Sequence, residues 1–210
     1  EGAVSAPRPG LLLALEGIDG AGKSTLAAAL VRLARRHGVR AVGRREPNDP
    51  ELGRRAQAAG RRDAWIGAVY FTVDRAQARP ALERALATHD LVVSDRSFYS
   101  TLAYQGSALG PRGRRRIEAL SRCATVPPDR VILLDLPARA AVDRLGRRGT
   151  ARGPLERRRT LERVAAAYRD LARRRRWTVL DARAPPAELA AAAWAVVERA
   201  RRRPARPRRT

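Results

Sequence analysis

Residues Gly17-Ile18-Asp19-Gly20-Ala21-Gly22-Lys23-Ser24 fit the pattern G-x-x-x-x-G-K-[ST]. They lie between the apolar run "LLLALE" (11–16) and the helical pattern "KSTLAAALVRLARR", and nothing else in the chain constrains its fold as narrowly. Such a loop faces its amides toward a phosphate only where a strand ends and a helix begins. Its glycines let the backbone curl, and the following helix adds its positive end. Lys23 supplies a compact charge for the β- and γ-phosphates, and the Ser24 hydroxyl suits Mg²⁺. The motif therefore predicts a strand at 11–16, a helix at 23–37 and a nucleotide such as ATP with Mg²⁺. The nucleotide-binding candidates are Gly17, Ile18, Asp19, Gly20, Ala21, Gly22, Lys23, Ser24 and Thr25.

Lys23 is the only lysine among 44 basic residues. Arginine has a broad planar fork and cannot replace a slim ammonium inside a tight phosphate cradle. The formal charge of +23 would suit a nucleic-acid binder. The arginines, however, are spread over several helical stretches and are not interleaved with aromatics. They imply at most nonspecific polyanion binding at low salt. Cys123 is the only cysteine, which excludes an intrachain disulfide. His37 and His89 are far apart and read as a helix-end residue and a loop residue, so no zinc cluster is expected. No apolar run approaches the ~20 residues of a membrane span, and "LLLAL" is short for a signal-peptide core. The expectation is a soluble, cytoplasmic protein. The chain does not open on Met, which leaves processing, trimming and an internal start all open.

Short apolar strands at 11–16, 39–44, 90–95, 130–135 and 177–181 alternate with helical stretches. The helices are expected at 23–37, 51–60, 65–87, 97–107, 112–123, 137–147, 157–175 and 186–201. Buried strands joined by helical crossovers predict an α/β fold with a five-stranded parallel sheet. The folded domain should span 11–200. The Pro/Arg-rich ends, 1–10 and 201–210, are expected to be disordered tails. The segment "GRRGTARGPLERRR" (146–159) has little apolar content and reads as a mobile loop between two helices.

Four motifs in order carry a resemblance: "LEGIDGAGKST" (15–25), "REP" (45–47), "YFTVDRAQ" (70–77) and "DRSFYSTLAYQG" (95–106). From about 11 to 198 the chain resembles thymidylate kinases of the nucleoside monophosphate kinase group. The resemblance implies Mg-ATP-dependent phosphorylation of thymidylate (dTMP) and a homodimer. Independently, Asp95 follows a predicted strand, where an α/β sheet opens its ligand crevice, and can hold a magnesium-bound water. Arg96 beside it offers a fork to a phosphate. By resemblance, Arg45 and Arg96 grip the acceptor phosphate, though ordinary surface ion pairs would also explain them. Phe71 and Arg75 share one helix face; the family equivalents stack on thymine and bond its edge, and plain core packing is the alternative for Phe71. Tyr104 matches a residue that crowds the sugar 2′ position, Thr101 and Gln105 lie near the base, and Asp19 lies near the acceptor sugar and phosphate. The segment 146–159 matches the lid over ATP, with Arg148 and Arg152 as candidates for touching the transferred phosphoryl group. One departure stands out: many bacterial members continue "REP" with Gly-Gly-Thr, whereas this chain has Asn48-Asp49-Pro50.

Two other readings fit parts of the pattern. A deoxynucleoside kinase would also carry a motif like "DRSFYS", but with glutamate at Asp95; a kinase of a modified deoxynucleotide is a variant of the main reading. A nucleotide-dependent switch would need a "DxxG" after a strand, which is not found.

Overall fold

The computed structural model describes residues 10–147 and 154–202, without the side chains of 154–157. Residues 1–9 and 203–210 of the expected tails lie outside the described residues, as do 148–153 of the expected lid, with Arg148 and Arg152.

Five strands form one parallel sheet: β1 (Leu11–Glu16), β2 (Ala41–Arg45), β3 (Leu91–Asp95), β4 (Arg130–Asp135) and β5 (Thr178–Asp181), in the order β2-β3-β1-β4-β5. The central strands are near-continuous apolar runs because helices cover both faces, as parallel sheets require. Leu13, Leu15, Leu91, Val93, Ile132 and Leu134 all lie in the main core. Edge strand β5 alternates between half-buried and exposed residues. On β1, Leu12, Ala14 and Glu16 share one face by the two-residue period. Leu12 joins Val92 and two leucines of α3 (Ala64–Thr88), Leu82 and Leu86, in a satellite cluster. The shared face thus runs from apolar to charged at its carboxyl end, where ligand crevices form.

The remaining helices are α1 (Lys23–Arg36), α2 (Pro50–Arg62), α4 (Phe98–Tyr104), α5 (Gly106–Ala124), α6 (Ala138–Gly146), α7 (Pro154–Arg175) and α8 (Pro186–Arg202). The expected stretches 97–107 and 112–123 become α4 and α5, with a break inside α5. There Gly110 takes φ 68°, ψ −172° ahead of Pro111, a left-handed entry that suits glycine. Polar side chains start the helices on the cleft side. Asp49 accepts from the amides of Glu51 and Leu52, Asp63 from those of Trp65 and Ile66, and Ser97 from that of Tyr99. No described helix is long and apolar enough to cross a membrane.

Helices α2 and α3 meet glycine on glycine. A Cβ on Gly67 would stand 2.6 Å from the Gly60 Cα and 3.1 Å from the Ala56 carbonyl oxygen. Glycine-to-alanine inside a helix ordinarily gains ~0.5–1 kcal/mol. Here the obstacle is backbone, which cannot swing aside, and overpacking costs ~1–3 kcal/mol. Gly67→Ala should therefore lower the unfolding free energy by about 1–2 kcal/mol, whereas Gly146→Ala, which meets nothing within 4 Å, should not destabilise. Urea unfolding of the two variants checks the sign.

Candidate functional site

The loop after β1 is shaped by its glycines. Gly17 has φ 145°, and a Cβ there would stand 2.6 Å from the Leu134 carbonyl oxygen, so both conformation and space require glycine. Gly22 (φ 94°) precedes α1 without a side-chain cap hydrogen bond. The first-turn amides of α1 therefore stay open to an anion, with the helix's positive end behind them.

Lys23 is buried, and its Nζ donates to the carbonyls of Gly17 and Ile18, both at 2.9 Å. Burial, then the nearby Arg96 charge, lowers the ammonium from 10.5 to about 7, while Asp19, Asp95 and Glu16 oppose the shift.

Ser24 Oγ donates to Asp95 Oδ2 at 2.5 Å, joining the start of α1 to the end of β3. Asp95 is buried, and among the described residues its Oδ1 has no hydrogen-bond partner. A buried carboxylate oxygen aimed beside a hydroxyl at the phosphate loop fits the way Mg²⁺ is held: a hydroxyl, one carboxylate, waters and substrate phosphates. Among the described residues there is no cluster of three or more His, Cys, Asp or Glu that would make an all-protein metal cage.

Beside this loop opens a cleft of ≈ 580 Å³. Asp19, Arg96 and Tyr104 line its loop end, Phe71, Arg75, Thr101 and Gln105 its walls, and Gln57, Arg61 and Arg163 are also part of the lining. Arg96 takes φ 79°, a left-handed conformation that costs a non-glycine residue ~1–3 kcal/mol. Its backbone is pinned on both sides: its amide donates to the Leu15 carbonyl at 3.0 Å, and Ser94 Oγ donates to its carbonyl at 2.6 Å. Its Nη2 pairs with Asp19 Oδ1, its Nη1 donates to Ser100 Oγ at 3.2 Å, and its guanidinium lies 5.5 Å from the centre of the Tyr104 ring. Tyr104 Oη accepts from the Asp19 amide at 3.0 Å, and burial, with Asp19 next, pushes the phenol's pKa up. Tyr104 is therefore a strut between α4 and the phosphate loop as well as a cleft wall.

The remaining candidates divide. Phe71 is half-buried with its side chain on the cleft. Thr101 is buried and Gln105 half-buried, both on the cleft. Arg75 lines the cleft, but its guanidinium is engaged: Nε donates to Glu46 Oε2 at 2.7 Å, Nη1 to Thr101 Oγ1 at 2.9 Å and Nη2 to the Ser97 carbonyl at 3.2 Å. Arg45 stands at the rim. Its side chain is 72% exposed, with Nε 3.9 Å from Asp95 Oδ2, and it is not part of the cleft lining. Thr25 is exposed on the first turn of α1.

Sequence reasoning passed over Glu16, Glu46, Asp74, Ser97, Ser100 and Tyr168. Glu16 is fully buried, and burial raises its pKa against the hydrogen bonds it receives from Ser97, Ser100 and Tyr168. A glutamate ending an apolar strand was the available signal. Asp74 accepts from the amides of Asn48 and Asp49 and from Asn48 Nδ2, at 2.7–3.0 Å. With Asp49 capping α2 and Pro50 at its first turn, this explains how Asn48-Asp49-Pro50 closes the turn after the cis Glu46–Pro47 bond.

The thymidylate kinase family profile matches residues 15–193. A thymidylate kinase of Xanthomonas euvesicatoria pv. vesicatoria is 40% identical over 164 residues, covering 76% of this chain and 71% of that protein. One from Leifsonia xyli subsp. xyli is 39% identical over 202 residues, covering 88% of this chain and 92% of the relative. One from Xanthomonas oryzae pv. oryzae is 40% identical over 167 residues, covering 77% and 72%.

The lowered Lys23 pKa has a measurable sign. As pH rises above about 7 the free protein progressively gives up this lysine's proton, whereas a bound polyphosphate favours the charged form. Nucleotide binding at pH 8 should therefore take up about one proton, and affinity should weaken as pH rises above about 7. Calorimetry of ATP binding in buffers of different ionisation heat reads the uptake. Lys23→Arg, which stays charged throughout, should abolish it.

Proposed function

The chain belongs to the thymidylate kinase family, and on that premise we propose that it transfers the γ-phosphoryl group of ATP to the 5′-phosphate of thymidylate in this cleft. An oxygen of the acceptor phosphate forms the new P–O bond, the bond between the γ-phosphorus and its bridging oxygen breaks, and ADP and thymidine diphosphate leave. The observation that carries the reading is the juxtaposition of Arg96 and Asp19, at the phosphate loop, with a cleft walled by Phe71, Arg75, Thr101 and Tyr104.

Phosphoryl transfer is mainly positioning and charge neutralisation. The loop amides and the α1 terminus hold the ATP phosphates, and Lys23 leaves its two carbonyl partners to bond them. Ser24 and Asp95 are the groups that would hold Mg²⁺, which when bound neutralises charge on the phosphates. Arg96 offers its guanidinium to the acceptor phosphate. Phe71 presents a ring face to the base, with Arg75 and Gln105 at its polar edge. Tyr104 is tied to the loop and cannot swing away from the sugar, which favours deoxyribose. Arg45, at the rim, reaches the acceptor phosphate only by turning inward.

The chain is also proposed to act as a homodimer. Ile66 and Val73 of α3 and Leu120 of α5 are large apolar side chains 43%, 42% and 36% exposed, on two helices that pack together. Sedimentation should give twice the 23.0 kDa chain mass, and a monomer at micromolar concentration would rule this out.

A coupled ADP-release assay tests the activity. Thymidylate should be the best acceptor in a panel of nucleosides and monophosphates, and thymidine a poor one, because it brings no phosphate to the guanidinium facing the cleft. Losing one partner of a desolvated charge pair costs ~2–5 kcal/mol, so Arg96→Ala should lower kcat/KM for thymidylate ~30-fold or more. Equal efficiency on thymidine and thymidylate would refute the assignment.

A further inference from the structure

Behind Arg96 lies a buried polar network that the phosphoryl-transfer reading does not use. Glu16 Oε1 accepts from the Ser97 amide at 2.8 Å and from Ser97 Oγ at 2.7 Å. Its Oε2 accepts from Ser100 Oγ at 2.7 Å and from Tyr168 Oη at 2.8 Å. Ser100 Oγ and Tyr168 Oη are themselves 2.9 Å apart. The four groups come from β1, the start of α4, α4 and α7, and all are buried.

The donor arithmetic gives the network a direction. A carboxylate only accepts, and four donors converge on this one. Ser100 has one hydroxyl proton. With that proton turned toward Glu16, its lone pair is left facing Arg96 Nη1, which donates to it at 3.2 Å. A freely rotating serine hydroxyl would present its proton to the guanidinium part of the time. Glu16, by accepting that proton, holds it the other way round, and Tyr168 Oη, donating to the same carboxylate oxygen, fixes where that oxygen sits. On the opposite side, Arg96 pairs with Asp19, whose side chain is 51% exposed, and lies against the Tyr104 ring.

We propose that Tyr168, acting through Glu16 and Ser100, is a positioning residue that sets the Arg96 guanidinium for the acceptor phosphate. It touches neither substrate. Its effect is confined to what Arg96 recognises, namely the phosphate rather than the base or the sugar. The network therefore contributes to the discrimination between a nucleoside monophosphate and its nucleoside. This rests on the assignment of Arg96 to the acceptor phosphate.

The test measures dissociation constants of thymidylate and thymidine by calorimetry for the wild type, Tyr168→Phe and Ser100→Ala, with ATP as a third ligand. Tyr168→Phe removes one hydroxyl and keeps the ring that packs edge-on against Tyr104. Thymidylate affinity should fall about tenfold in Tyr168→Phe, and at least as far in Ser100→Ala, while thymidine and ATP affinities stay within about twofold. KM for thymidylate should rise with KM for ATP unchanged. Equal losses for thymidine and thymidylate would mean that the hydroxyl is only structural, and no loss in either variant would mean that it does not position Arg96; both overturn the inference. A wild type that binds the two ligands equally would instead remove the Arg96 assignment, and the inference with it.

Discussion

A buried ammonium is the constraint around which this molecule is arranged. Lys23 is buried at the start of α1, beyond the carboxyl end of β1, where a lone charge would be untenable. Two loop carbonyls accept its protons, and three carboxylates, Asp19, Asp95 and Glu16, lie near enough to bias it toward its charged form. Asp95 and Glu16 are themselves expensive to bury, so each recruits donors of its own, Ser24 for Asp95 and two serines and a tyrosine for Glu16, while the exposed Asp19 pairs with Arg96. Much of the chemistry at the sheet's carboxyl edge follows from keeping that one nitrogen where a phosphate can reach it.

The second charge pair extends the same logic along the cleft. Arg75 and Glu46 are both buried and face each other from α3 and the turn after β2. A buried pair of this kind adds little net stability, but it strictly specifies which side chains line the wall. Thr101 Oγ1 and the Ser97 carbonyl each accept one further proton from Arg75, so the same guanidinium fixes the start of α4. The exposed pairs on the helices, such as Arg54–Glu51 or Arg79–Glu83, do none of this and contribute only marginally.

Much of this was legible in the sequence. The five strands were readable because both faces of a parallel sheet demand apolar runs, and the loop because its glycines and lysine occur in no other arrangement in the chain. Phe71, Arg96, Thr101, Tyr104 and Gln105, drawn from different motifs, all line the cleft. The arginine count hid the rest. Among so many cations, Arg45 looked as qualified as Arg96, and only the pleat separates them: Arg45 points to the rim, and its neighbour Glu46 turns inward. Glu16 and Tyr168 are 152 residues apart. No local pattern joins them, because their contact is made by α7 packing against α4 and β4, beside β1. The Asn48-Asp49-Pro50 departure was readable only as a difference; its reason is Asp74, a helix away.

The left-handed backbone of Arg96 has a cost that falls outside the reaction. Glycine would occupy that conformation freely, so the position exchanges folding stability for a guanidinium at one point in space. Selection for thermal robustness alone would push this residue away from arginine, and only selection for turnover would hold it. A stability-driven redesign of the chain would therefore tend to silence the enzyme at this position, and the resulting protein would be firmer, well folded and inert.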